Sequence, residues 1–321
     1  MKNFVLIVLS AFVISSVVLA ILVLSRHADD SDELNIVTTF YPPADFASQI
    51  GRKKVAVTNL TTGGVEPHDY EPTPQDLVKI KNANLFIING NGFDGWAEKF
   101  ASENSEVNTL ILADYVEALE VKDRDDEDEH EHEDEDEHED GEFDPHFWLD
   151  PVIAIDLVNT IADKIIDLDM RNSRYYRTNA DEYIEVLKSL DMAYKNALSN
   201  CWQRKIIVSH DAFKYPALRY GIDVVSVSGI SLESEPSPRK LAEITQTIKS
   251  ADIRYIFYET LVSPNIANTL AKETGAQTLV LNPLEGLTND EISEGKNYVS
   301  IMQENLENLQ IGMQCNENHQ T

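Results

Sequence analysis

Histidine is the residue to follow in this chain, because its eight copies are few and unevenly placed among 321 residues. His130, His132 and His138 sit in the run Asp123 to Glu142, where fifteen of twenty residues are Asp or Glu. Like charges repel along such a run, and almost no apolar surface offsets the entropy of ordering it. It should be a solvated, mobile loop. Carboxylates interleaved with imidazoles also make a weak sponge for borderline divalent cations such as Zn²⁺. Three more histidines, His68, His146 and His210, stand apart from that loop and from both termini. His68 lies in Glu66-Pro67-His68-Asp69-Tyr70, after a strand-like run and before a helix start. His146 lies in Asp144-Pro145-His146-Phe147-Trp148, and His210 ends the strand-like Ile206-Ile207-Val208-Ser209.

Metal chemistry needs these side chains to meet, so the elements that carry them decide the matter. Leu34 to Thr38, Val55 to Leu60 and Leu85 to Ile88 read as short buried strands. Pro43 to Ile50, the segment from Thr73-Pro74 and the stretch around Trp96 read as helices. Val152 to Leu168 is helical. A longer helix from about Ser173 to Ser199 carries Tyr183, Leu187, Leu190 and Tyr194 at three- and four-residue spacings. Strand and helix then alternate again: Lys205 to Ser209, Asp223 to Val227, a helix from Ser237-Pro238, Tyr255 to Tyr258, a helix from Pro264, Thr278 to Leu281 and a terminal helix. Such alternation predicts two α/β lobes with parallel-rich sheets, joined by one long helix. The boundaries are residues 31–170 for the first lobe, 171–200 for the bridge and 201–321 for the second lobe. No internal sequence repeat is evident.

Ligands of open α/β sheets gather at the carboxyl ends of strands, so all three histidines can face one cleft, with Pro67 and Pro145 stiffening two of them. A fourth donor should follow the last strand, in Asn282-Pro283-Leu284-Glu285-Gly286-Leu287-Thr288. Glu285 is the carboxylate best placed there, and Asn282 is a weaker oxygen donor. Three imidazoles and one carboxylate form a closed tetrahedral set that suits Zn²⁺, whereas Mn²⁺ prefers more oxygen.

Composition narrows the partners. The formal net charge is −30, and outside the acidic loop it is still about −16, so no basic face meets nucleic acid. Phe4 to Leu24 is 21 residues without a charge, flanked by Lys2 and Arg26. A helix of that length spans roughly 30 Å. Residues 1–30 are therefore expected to be an uncleaved membrane anchor, with a cleaved signal peptide as the alternative, and the rest should lie outside the cytoplasm. There Cys201, ahead of a strand, and Cys315, at the end of the last helix, fall on the same side of a sheet and can form a disulfide.

The segments Phe40-Tyr41-Pro42-Pro43, Glu66-Pro67-His68-Asp69-Tyr70-Glu71-Pro72-Thr73, Asp144 to Pro151, Ser209-His210-Asp211-Ala212-Phe213 and Asn282 to Thr288 resemble the zinc/manganese solute-binding proteins of ABC importers, the cluster A-I or cluster 9 family. The likeness runs from about residue 34 to 310. It implies two α/β lobes bridged by one long rigid helix, with the metal between them held by His68, His146, His210 and a second-lobe carboxylate. The Pro-Leu-Glu-Gly-Leu-Thr segment resembles the zinc-type members, which selects Glu285. It implies Zn²⁺ as the bound ion, with Mn²⁺ as the alternative, and a separate permease and ATPase as partners of a monomeric receptor. Two features depart from the family pattern: the loop is richer in acids than in histidine, and no cysteine follows the apolar segment to take a lipid.

Other functions fit less well. No G-x-x-x-x-G-K-[ST], H-E-x-x-H or G-x-S-x-G occurs, and a closed four-ligand set leaves no position for a reactive water, so an enzyme is not expected. A metal buffer or surface adhesin is the remaining alternative. The acidic run should act as an accessory that concentrates cations by its field. Deleting Asp123 to Glu142 should leave one tight site intact and abolish only weak, salt-sensitive binding in a metal titration at two ionic strengths. Disappearance of the tight site would move the binding function to the loop.

Overall fold

The computed structural model describes residues 33–117, 119, 143–229 and 236–315. The N-terminal apolar segment and the acidic run with His130, His132 and His138 lie outside the described residues. Among the described residues, no helix is long and apolar enough to cross a membrane.

Four short runs in each half form the sheets. β1 (Leu34–Thr38), β2 (Val55–Asn59), β3 (Leu85–Ile88) and β4 (Thr109–Ile111) make one parallel sheet in the order β2-β1-β3-β4. β5 (Lys205–Val208), β6 (Asp223–Ser226), β7 (Tyr255–Tyr258) and β8 (Gln277–Val280) make a second in the order β6-β5-β7-β8. Each half therefore has its second strand outermost and its first strand beside it. The repeat that the residues do not display is present in the topology. Every residue of β3 is buried, as expected of a strand covered by helices on both faces. β4 has three residues, too few for an alternation to register in the sequence.

Ten helices cover these sheets among the described residues. They are α1 (Tyr41–Gly51), α2 (Pro74–Lys81), α3 (Gly95–Glu103), α4 (Pro151–Leu168) and α5 (Ser173–Leu198), then α6 (Lys214–Tyr220), α7 (Pro238–Ser250), α8 (Asn265–Thr274), α9 (Asn289–Ser293) and α10 (Tyr298–Gly312). Local chemistry sets several starts. Thr73 and Asp76 form a reciprocal capping box ahead of Pro74, and Asp150 accepts from the Val152 N–H ahead of Pro151.

The longest helix, α5, has 26 residues and is therefore about 39 Å long. Its first half belongs to the first lobe: the Asn179 amide donates to the Ile50 carbonyl at 2.9 Å, and the Tyr183 hydroxyl donates to Asp45 at 2.9 Å. Its second half belongs to the other lobe. The Tyr194 hydroxyl donates to the Met302 carbonyl at 2.6 Å, and Asp191 accepts from the Tyr220 hydroxyl at 3.1 Å. Between these anchors Leu187 and Leu190 are buried in a core that runs without a break from Ile36 and Phe46 to Phe257 and Tyr298. The Phe46 and Tyr298 rings meet edge-on at 5.0 Å. The lobes thus share apolar contact as well as a connection.

Cys201, just before β5, and Cys315, just after α10, are joined by a disulfide across 114 residues. The Gln203 N–H donates to the Met313 carbonyl beside it at 3.0 Å. Closing so long a loop stabilises the fold by about 4–5 kcal/mol on the chain-entropy model. Replacing both cysteines with serine should lower the urea unfolding free energy by up to that amount while leaving metal stoichiometry unchanged. Two free thiols in the denatured, unreduced protein would instead show that the bond does not form.

Candidate metal centre

Each of the four candidate ligands is presented by the turn after a strand, or by a turn packed against those strand ends. His68 lies in the connection between β2 and α2, and His210 follows β5 by two residues. His146 opens the single 3₁₀ turn Phe147–Leu149 ahead of α4. That turn is clamped from both lobes. The Asn89 amide donates to the Pro145 carbonyl at 3.0 Å, the Tyr298 hydroxyl to the Trp148 carbonyl at 2.6 Å, and the Trp148 indole to the Pro283 carbonyl at 2.8 Å. Glu285 follows β8 on a turn in which Leu284 takes a left-handed φ of 60°. Asn282 holds this turn: its side-chain oxygen accepts from the Leu284 N–H at 2.8 Å, and its amide donates to Glu291. The Asn282 side chain is thereby engaged in shaping the loop and is not part of the ligand cluster.

Among the described residues, His68, His146, His210 and Glu285 form a group whose donor atoms all lie within 4.8 Å of one another. The Nε2 atoms of His68, His146 and His210 stand 3.5, 3.3 and 3.3 Å from Glu285 Oε1, and the Nε2 atoms of His146 and His210 stand 3.4 Å apart. Tetrahedral donors bonded to an ion at 2.0–2.1 Å would be separated by about 3.3–3.4 Å. The spacing matches Zn²⁺. Glu285 is 1 % exposed, and neither of its oxygens has a hydrogen bond of ordinary geometry. A buried carboxylate left so is costly unless a cation meets it. Aromatic rings wall the site, with Phe93 centred 4.6 Å from the His68 ring and Trp148 5.3 Å from His146. They keep water away and so strengthen each charge interaction.

Two carboxylates orient the buried imidazoles from behind. Asp144 Oδ1 lies 2.8 Å from His146 Nδ1, and Glu259 Oε1 lies 2.6 Å from His210 Nδ1. A carboxylate there fixes the ring and its tautomer and leaves Nε2 facing the ion. Sequence reasoning missed both. Asp144 had a usable signal, since it stands two residues before His146 and also accepts that residue's backbone N–H at 2.9 Å. Glu259 immediately follows β7, and only the pairing of β5 with β7 brings it to His210. A third carboxylate, Glu66, lies beside Glu285; burial and the Glu285 charge raise its pKa to about 8.

Burial and charge compete at each of these groups. Burial works to lower the His210 pKa, yet the charges of Glu259 and Glu285 outweigh it and hold that imidazole well above its ordinary value. Burial likewise opposes protonation of His146, but its hydrogen bond to Asp144 and its contact with Glu285 outweigh burial and raise it. Burial tends to raise the Glu285 carboxyl, but the charge of His210 and the imidazole contacts keep it well below its ordinary value. Charged imidazoles and a charged Glu285 thus favour one another.

Two α/β lobes enclosing one buried cation cage between them define the class of two-lobed binding proteins. The comparisons make this specific. The family model described as zinc-uptake complex component A, periplasmic (ZnuA), matches residues 36–312, and the chain belongs to that family. It is 39 % identical over 290 residues to the zinc-binding lipoprotein AdcA of Streptococcus pneumoniae, covering 89 % of this chain and 57 % of that protein. The chain thus spans just over half the length of this relative. It is 38 % identical over 278 residues to the high-affinity zinc uptake system protein ZnuA of Bacillus subtilis, covering 87 % of each. The crystal structure of the Zn(II)-bound ZnuA-like domain of pneumococcal AdcA superposes with a TM-score of 0.74 at 38 % identity, covering 88 % of this chain and 99 % of that one.

Because metal must displace the protons on His146 and His210, zinc affinity should weaken as pH falls. The decline should begin above the ordinary imidazole value and steepen toward roughly a hundredfold per pH unit once both imidazoles are protonated. In Glu259→Gln the His210 imidazole loses its main charge partner. Its decline should therefore begin at lower pH, while affinity at high pH falls by about 10–100-fold. Competitive titration across pH measures both, and a pH-independent affinity would contradict the assignment of protons.

Proposed function

We propose that this protein is an extracytoplasmic, high-affinity Zn²⁺ receptor of an ABC-type importer, with His68, His146, His210 and Glu285 as the ligands of its cargo ion. The observation that carries the reading is the donor spacing of 3.3–3.5 Å around Glu285 Oε1, which suits a small four-coordinate cation. Membership of the zinc-uptake family supports it. The division we propose gives residues 31–170 and 201–321 to the lobes and 171–200 to the bridge, with residues 1–30 holding the receptor at the membrane and the body acting as a monomer. Each lobe supplies two ligands, so a bound ion holds the lobes together and the loaded shape differs from the free one. A permease docks the loaded shape, and a separate ATPase drives release. The acidic run with His130, His132 and His138 gathers cations near the cleft.

No reaction is assigned to the site. Four protein donors fill a tetrahedral ion, which leaves none of the open positions that hydrolytic zinc requires. Manganese is the alternative cargo, but it prefers more oxygen than one carboxylate supplies.

Metal analysis followed by competitive Zn²⁺ and Mn²⁺ titration tests the proposal. One tight zinc per chain is expected, with Zn²⁺ displacing Mn²⁺ at neutral pH. Glu285→Ala should cost more affinity than the roughly 10–100-fold expected for an outer-shell partner. Mn²⁺ winning the competition would overturn the choice of ion, and an unchanged Glu285→Ala would overturn the ligand set.

A further inference from the structure

Half of the cage stands on a loop that holds no ligand. Between β3 and α3 the chain runs Asn89-Gly90-Asn91-Gly92-Phe93-Asp94. Gly90, Asn91 and Gly92 take left-handed φ of 88°, 53° and 75°. A Cβ on Gly90 would meet the Ile111 and Ala113 side chains at 2.8 and 2.9 Å, so only glycine seats the loop there. One carboxylate closes it. Asp94 is 2 % exposed and accepts from the Asn89 N–H at 2.7 Å, the Gly90 N–H at 2.9 Å and the Thr39 hydroxyl at 2.6 Å.

From this knot separate paths lead to two ligands. The Asn89 side-chain amide donates to the Pro145 carbonyl at 3.0 Å, and Pro145 is bonded to His146. Phe93, the neighbour of Asp94, sets its ring 4.6 Å from that of His68 and 5.0 Å from that of Trp148. Thr39 reaches the His68 connection from its other end. Its carbonyl accepts from the Thr61 hydroxyl at 3.1 Å, just after β2. Asp94 therefore holds in place the surroundings of His68 and His146, the two ligands that come from the same lobe as itself.

We propose that Asp94 is a positioning residue that sets the choice of ion, by keeping His68 and His146 at the spacing of a four-coordinate cation. This rests on the cargo-ion reading above. Zn²⁺ takes four donors at the separations found around Glu285 Oε1. Mn²⁺ favours octahedral, oxygen-rich surroundings, so it needs the imidazoles to part and admit water. A loop tied by three hydrogen bonds and packed against both rings resists that parting. Stiffness here penalises the higher coordination number and costs zinc nothing.

Competitive titration of the purified full chain with Zn²⁺ and Mn²⁺, joined to the visible absorption of its Co²⁺ form, tests the assignment. Four-coordinate Co²⁺ absorbs far more strongly than six-coordinate Co²⁺, so the spectrum reports the geometry. Asp94→Asn replaces an acceptor oxygen of the knot with an N–H donor, and Asn89→Leu removes the amide that reaches Pro145. In each, Zn²⁺ affinity should fall by about 10–100-fold while Mn²⁺ affinity changes by less than about threefold, and Co²⁺ absorption per bound ion should weaken. Ile50→Ala, a core cavity at the other end of α1, should lower the urea midpoint and leave both the affinity ratio and the spectrum alone. A folded variant with the wild-type ratio and spectrum overturns the role of Asp94, as does an equal loss of affinity for both ions. Where Asp94→Asn fails to fold, Asn89→Leu decides by the same readouts. A wild-type chain that prefers Mn²⁺ overturns the cargo reading and this role with it, whereas a zinc-selective wild type with unchanged variants overturns this role alone.

Discussion

A single carboxylate, Glu285, sets the terms for the rest of the molecule. It is buried between two lobes, without an ordinary hydrogen bond, and pointed at three imidazole nitrogens. A charge in that position is tolerated only with positive charge beside it. The Glu285 charge favours protons on His146 and His210, and a bound metal ion would meet the same need. The cage thus suits either of two cationic fillings, and Asp144 and Glu259 aim the imidazoles for both.

The shared core limits how the molecule can move between these fillings. α5 is fastened to α1 at one end and to α6 and α10 at the other, and the apolar cluster continues across both lobes. Wide separation of the lobes would expose that cluster to water. Motion is more cheaply made in the connections, the Gly63-Gly64 turn ahead of His68 among them. A body braced in this way is a different design from two lobes swinging freely.

Much of this was legible in the residues. His68, His146 and His210 stand out because each follows a strand or a proline-stiffened turn, and Glu285 because it follows the last strand in a distinctive segment. The alternation of elements gave two α/β lobes, and the three- and four-residue apolar spacing gave α5. What stayed hidden depends on distance through space. Glu259 looks like any strand-end acid until β7 is known to lie beside β5. The common strand order of the two sheets leaves no trace in residue identity, since parallel strands buried on both faces accept any apolar residues that fill the volume. Asn282 resembled a donor because its type is right. Its neighbours Leu284 and Glu291 already engage its side chain.

The Cys201–Cys315 bond has a consequence for metal exchange as well as for folding. These are the chain's two cysteines, and neither sulfur is free. A thiolate is the softest zinc ligand a protein can offer and holds the ion most stubbornly. With both sulfurs occupied by each other, imidazole and carboxylate are the strongest donors an arriving ion can find anywhere on the chain. For a carrier, oxidation at a distance from the cage would remove the trap it can least tolerate, a ligand from which its passenger would not leave.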